Sequence, residues 1–175
     1  MKQGYIHVYC GDGKGKTTCA TGLAVRCAGA GGRVLWFQFL KKDTSSERNA
    51  LKLIPGIDLL SGYEKMKFTF QMTEEEKKEA KEFYQYKFEQ IVQTVVAGTY
   101  DLLILDEVIG AIGTDMIEEN MILDFLKTRP ECLEVVLTGR NPSATLLQLA
   151  DYVSDIQKVK HPYDLGKPAR KMIEW

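Results

Sequence analysis

The residues best suited to chemistry are Gly11-Asp12-Gly13-Lys14-Gly15-Lys16-Thr17-Thr18, set between the strand-like run Tyr5 to Tyr9 and the helix-like run Thr18 to Ala24. Glycines at alternate positions let successive backbone N–H groups turn inward, and a helix start behind them adds partial positive charge, so the run reads as a phosphate-binding loop. Lys16 supplies a mobile cation and Thr17 a hydroxyl able to ligate Mg²⁺. The strict pattern places glycine at position 10, where this chain has Cys10. Cysteine is small and the strand ends there, so the loop is expected to survive the change.

Two further groups complete a candidate constellation. Asp106-Glu107 closes the apolar run Leu102 to Leu105, as the acid of a Walker-B strand does. Glu107 either orients a water molecule or is itself a metal ligand, with Asp106 as a further candidate ligand; the residues alone leave both roles open. Thr138-Gly139-Arg140 leaves another apolar run and brings a guanidinium to where it would neutralise phosphate oxygens. Two loops are richer than connectors need to be. Lys41 to Asn49 follows the second strand, at the edge where open α/β sheets bind ligands. Gly62 to Met72 carries Tyr63, Phe68, Phe70, Met66 and Met72 without regular period, and covers either a satellite of the core or a ligand.

The elements that must position these groups alternate. Strands are expected at Tyr5 to Tyr9, Arg33 to Phe39, Ile57 to Leu60, Leu102 to Asp106, Leu133 to Thr138 and Val153 to Val159. Runs apolar on both alternating faces, as at 102–106 and 133–137, suit strands covered on both sides. The longest helix is expected from Thr73 to Ala97: Thr73 and Glu76 form a capping box, Gly98 is a stop, and Ala80, Tyr84, Phe88, Ile91 and Val95 make one apolar stripe. Shorter helices are expected over Glu118 to Lys127 and from Pro142 onward. The expected architecture is therefore α/β: one domain over residues 1–175, P-loop NTPase-like and RecA-like, with a mainly parallel six-stranded sheet and helices on both faces.

Composition excludes several classes. A formal net charge of -1 over 175 residues argues against a general nucleic-acid binder, which needs a strongly basic face. No stretch approaches the roughly 20 apolar residues a bilayer requires, and no N-terminal targeting pattern is seen, so a cytoplasmic protein is expected. Cys10, Cys19, Cys27 and Cys132 show no C-x-x-C spacing and are expected to be reduced, core-filling thiols, with Cys19 and Cys27 on one helical face. His7 and His161 are expected to be structural.

Taken together and in order, G-D-G-K-G-K-T-T, Gln38-Phe39, Glu47-Arg48-Asn49, Leu105-Asp106-Glu107, Thr138-Gly139-Arg140, Val159-Lys160-His161 and Ile173-Glu174-Trp175 resemble the CobA/CobO/BtuR-type ATP:corrinoid adenosyltransferases. The resemblance spans nearly the whole chain. It implies transfer of the 5′-deoxyadenosyl group of ATP to the Co(I) of a corrinoid, with inorganic triphosphate leaving. Reduced cobalt is the nucleophile, which agrees with the lack of a Ser-His-Asp, Cys-His or paired-carboxylate arrangement, since attack at a saturated carbon needs alignment and a stabilised leaving group.

The resemblance further implies catalytic roles for Lys16, Thr17 and Glu107, ATP binding by Gly11 to Thr18 with Arg48, Asn49 and Arg140, and Mg²⁺ or Mn²⁺ held by Thr17 and Glu107. Phe68 and Phe70 match positions that displace the lower axial ligand of the corrinoid and favour four-coordinate Co(II). Relatives carry Trp where this chain has Phe70, and Gly where it has Met172. Some relatives have an N-terminal extension over the corrinoid; this chain starts almost directly on its first strand, so a more open corrinoid site is expected. A cobalt reductant such as a flavoprotein, and a homodimer, are the implied partners. Two other readings are a P-loop ATPase or kinase cleaving the γ-phosphate, and a nucleotide-gated binding module.

Overall fold

The protein is described here from a computed structural model, over residues 3–67 and 69–174. Six strands form one sheet: β1 Ile6–Cys10, β2 Val34–Gln38, β3 Ile57–Leu59, β4 Leu102–Asp106, β5 Glu134–Thr138 and β6 Tyr152–Asp155. Their order is β3-β2-β4-β5-β1-β6, and every pairing is parallel. Parallel pairing forces each connection to cross the sheet, and six helices make the crossings: α1 Lys16–Gly29, α2 Ser46–Leu51, α3 Glu74–Val96, α4 Val108–Gly113, α5 Glu119–Thr128 and α6 Ala144–Leu149.

Strand alternation sorts the core into two layers. Leu35 and Phe37 of β2, with Leu103 and Leu105 of β4, face α3, α4, α5 and α6. Val34, Trp36, Leu102 and Ile104 face the other way, against Ala20 and Ala24 of α1 and Leu51 of α2. The small alanines let α1 lie close on the sheet, which fixes where its N-terminus opens. Helix α3 is anchored as expected. Thr73 Oγ1 accepts from the Glu76 N–H at 3.2 Å, the Glu76 carboxylate accepts from the Thr73 N–H at 3.0 Å, and Ala80, Tyr84, Phe88, Ile91 and Val95 are buried.

Several boundaries differ from expectation. Strand β6 ends at Asp155, because the chain then bends onto the phosphate loop: the Gly13 N–H donates to Ile156 O at 2.7 Å. Helix α6 is capped by Ser143, whose hydroxyl accepts from the Leu146 N–H at 3.0 Å, so Pro142 precedes the cap. Helix α2 begins within the expected loop 41–49 and runs past its end, and α4 follows β4 almost directly. Of the thiols, Cys10 is buried and Cys27 half-buried, whereas Cys19 and Cys132 are exposed, so core filling holds for Cys10 and in part for Cys27. His7 has a structural role, paired with Glu134 and stacked on Tyr152.

The loop Gly62 to Met72 mostly serves the core. Tyr63, Met66 and Met72 are buried against the α3 layer. The Tyr84 hydroxyl accepts from the Leu40 N–H at 3.0 Å and donates to Met66 Sδ at 3.4 Å. Burial pushes the Tyr84 hydroxyl pKa up to about 12. Phe70, in the 3-10 turn Thr69–Gln71, points outward and is 80% exposed.

Candidate active site

Because all strands run the same way, the segments leaving β1, β2, β4 and β5 emerge at one edge of the sheet. The phosphate loop occupies its centre. Gly11 has φ +98°, and a Cβ there would lie 2.4 Å from the Asp155 carboxylate; a Cβ on Gly13 would lie 2.6 Å from the Ile156 carbonyl. Glycine is therefore required by the chain that packs behind the loop. Cys10 is the last residue of β1, buried in the core, so the departure from the strict pattern leaves the loop itself unchanged. Gly15 caps α1 without a side-chain hydrogen bond, and the first turn of α1 carries no acid, so the helix start remains available to an anion.

Lys16 is 7% exposed, and its ammonium donates to Gly11 O at 2.7 Å and Gly13 O at 2.8 Å. Burial lowers its pKa and neighbouring Arg140 lowers it further, against the opposing pull of Glu107 and Asp12. The loop thus holds a partly desolvated cation at the floor of a cleft of about 810 Å³.

Asp106 organises the adjoining acid site. Strand β5 lies between β1 and β4, and Thr138 at its end bridges them: its hydroxyl donates to Asp106 Oδ1 at 2.7 Å and accepts from the Glu107 N–H at 2.8 Å. Gln38, the register partner of Asp106, donates to Oδ2 at 2.7 Å. The Thr17 hydroxyl donates to Oδ1 at 2.9 Å. A hydroxyl has one hydrogen and two lone pairs, so this bond leaves the Thr17 oxygen free to ligate. Glu107 is in the left-handed region, φ 60°, and its carboxylate lines the cleft. Thr17, Asp106 and Glu107 present hard oxygen donors, which suit Mg²⁺ or Mn²⁺. Among the described residues no three His, Cys, Asp or Glu side chains gather into a metal cage.

The structure brings Asp12, Gly13, Lys14, Gly15, Lys16, Thr17, Thr18, Glu107 and Arg140 onto this one cleft. Gly11 lies beneath it, holding Lys16 through its carbonyl. Arg48 and Asn49 are not among the cleft-lining residues. Arg48 is 2% exposed; its guanidinium donates to Leu60 O at 3.0 Å and pairs with Asp43 at 3.1 Å, and Asp43 in turn accepts from the Gly62 N–H at 3.0 Å. Asn49 is exposed on α2. Phe68 lies outside the described residues, and Phe70 stands apart from the nucleotide cleft, on a second hollow with Lys77, Lys81 and Met116.

Sequence reasoning gave no role to Lys41, Gln38, Thr138 or the tail. Lys41 Nζ lies 3.3 Å from both Thr17 Oγ1 and Asp106 Oδ2. The signal was its place just beyond the end of β2, at the ligand edge. In the tail, Glu174 pairs with Lys14 at 3.1 Å. Hydrogen bonds from the Arg170 side chain and backbone and from Lys14 hold the Glu174 carboxyl down at about 2.

A phosphate loop after β1, an acid at the end of β4 and one strand between them define a P-loop nucleotide-binding enzyme. Residues 2–175 match the family model ATP:corrinoid adenosyltransferase BtuR/CobO/CobP, and the chain belongs to that family. It is similar to the corrinoid adenosyltransferase of Escherichia coli K12, 31% identical over 99% of this chain and 87% of that protein. It is similar also to the corrinoid adenosyltransferase CobA of Salmonella typhimurium, at 30% over the same shares, and to that of Pseudomonas aeruginosa, at 28% over 99% and 85%. The enzyme is thus an adenosyltransferase of adenosylcobalamin synthesis, with ATP and a corrinoid as substrates. No described helix is long and apolar enough to cross a membrane.

Proposed function

We propose that this enzyme binds the triphosphate of ATP along residues 11–18 and turns the ribose 5′ carbon outward, toward the reduced cobalt of the corrinoid. The observation that carries the reading is Lys16, buried and held by the loop's own carbonyls at the cleft floor. A cation already desolvated and positioned gains more from charge that develops on a leaving triphosphate than a mobile surface lysine would. Arg140 adds a second positive group on the cleft wall. Thr17 and Glu107 hold a divalent cation, Mg²⁺ or Mn²⁺, with Asp106 fixing the Thr17 hydroxyl; when bound, that ion supplies further neutralisation of the phosphate oxygens. No side chain needs to move a proton, because the nucleophile is the electron pair of Co(I) and the leaving group departs as an anion. Arg48 serves the nucleotide through the loop it ties and Asn49 from the adjoining helix.

Phe68 and Phe70 meet the corrinoid. A flavoprotein-type reductant supplies the electron that makes Co(I), two copies of the chain form the working unit, and the reaction belongs to the cytoplasm. Incubation with ATP, Mg²⁺ and chemically reduced cobalamin tests the reading: the expected products are a light-sensitive alkylcobalt species and inorganic triphosphate. Orthophosphate or ADP in their place would establish γ-phosphate cleavage instead. Phe70→Ala is expected to slow the reaction of Co(II) substrate under a weak reductant more than that of preformed Co(I); equal losses would remove the role for Phe70.

A further inference from the structure

The carboxylate of Asp106 is fully buried, yet three of its hydrogen-bond donors, Thr17, Gln38 and Thr138, are neutral. Among the described residues Lys41 is the one cation within ion-pair distance of it, at 3.3 Å. The same ammonium is 3.3 Å from Thr17 Oγ1 and 3.9 Å from Glu107 Oε1. Lys41 therefore sits beside both groups to which the proposed function assigns the divalent cation, Thr17 and Glu107, and beside Asp106, which fixes the Thr17 hydroxyl. An ion ligated by both Thr17 and Glu107 would share its ligand oxygens with that ammonium, and two cations drawn to the same oxygens repel. One must leave. The Lys41 side chain is 34% exposed and lines the cleft, so its long stem allows withdrawal toward the phosphates without disturbing the core.

We propose that Lys41 is a tethered counter-ion of the metal site: its ammonium neutralises Asp106 and keeps free divalent metal out, and arrival of the metal with nucleotide displaces it onto the triphosphate. The proposal rests on the metal reading given above. It makes Lys41 a positioning residue that couples metal binding to nucleotide binding, so that the site does not fill with a cation before ATP is present.

The test is Mn²⁺ binding, followed by electron paramagnetic resonance, to nucleotide-free wild type, Lys41→Met and Lys41→Arg. Expected is weak binding by wild type and Lys41→Arg, and binding at least about tenfold tighter by Lys41→Met, since removing a cation a few ångströms away favours a divalent ion. Affinities within about twofold of each other in wild type and Lys41→Met would overturn the proposal, as would equal tightening in Lys41→Arg. A parallel titration of Glu107→Gln with Mn²⁺ and ATP separates the causes of failure. If that variant loses affinity while Lys41→Met is unchanged, the metal site stands and the lysine proposal alone falls. If Glu107→Gln matches wild type, the metal reading fails and the lysine proposal falls with it.

Discussion

At Thr138 one hydroxyl serves two neighbours, donating to Asp106 and accepting from the Glu107 backbone. Valine has the same shape without the polar atom, so Thr138→Val leaves a buried carboxylate oxygen and a backbone N–H short of a partner. A loss of about 1–3 kcal/mol in chemical denaturation is expected, with reduced adenosylation, and Thr138→Ser is expected to restore most of both. Wild-type stability in the valine variant would show that the bridge contributes nothing. Lys16→Ala is expected to lower turnover about a hundredfold through lost stabilisation of the triphosphate. Because burial and Arg140 lower the Lys16 pKa, its ammonium loses its proton more readily than an ordinary lysine does. Affinity for ATP in the free enzyme should therefore fall as pH rises through that lowered value, in wild type and not in Lys16→Ala. The sign for stability is opposite. Between the folded and unfolded pKa values the unfolded chain holds the extra proton, so this group favours folding more as pH rises there.

Elements transmit these residue effects. Tyr84 on α3 holds Leu40, whose φ is 56°, and the buried Met66 of the aromatic loop. Tyr84→Phe is expected to cost about 1 kcal/mol or somewhat more, as the Leu40 N–H loses its acceptor. With its pKa raised from 10.0 to about 12, Tyr84 stays protonated in the folded protein while the unfolded chain ionises, so stability should fall between those pH values. Denaturation at several alkaline pH values checks this, and Tyr84→Phe should lessen the fall. The long elements were legible in the sequence because their signals are local and redundant: capping box, stripe and glycine stop for α3, and an unbroken apolar run for β4. Two short helices, α4 and α2, were not. Val108–Gly113 is apolar all round and continues the run of β4, and its start depends on the left-handed backbone of Glu107, which composition does not announce. Helix α2 lies in a stretch rich in Ser, Thr and Asp that reads as a loop. The site was legible where a motif is contiguous, at 11–18 and 106–107. Lys41 was not, because two adjacent lysines in a polar loop look solvated until the sheet sets them beside Asp106.

At the scale of the whole molecule, distant segments complete the phosphate loop. The Ile156 N–H donates to Cys10 O at 2.9 Å, Ile156 O accepts from the Gly13 N–H, and the Lys158 N–H donates to the Asp12 carboxylate at 3.2 Å. A Cβ at position 13 would meet the Ile156 and Gln157 carbonyls at 2.6 and 2.7 Å, which are backbone atoms that cannot swing aside. Gly13→Ala is therefore expected to push residues 155–157 off the loop and to weaken ATP binding by at least about tenfold, read by calorimetry, while the two-layered core keeps the fold. Unchanged affinity would show that the loop holds its shape without that support. The tail carries a smaller strain. Met172 stands with φ 73°, a conformation natural to glycine, so Met172→Gly should relieve about 1 kcal/mol locally. The dependence of residues 11–13 on 155–158 also bears on birth of the enzyme at the ribosome. The phosphate loop is translated well before the stretch that braces it, so a nascent chain has to be made through residues 155–158 before it is equipped to capture ATP.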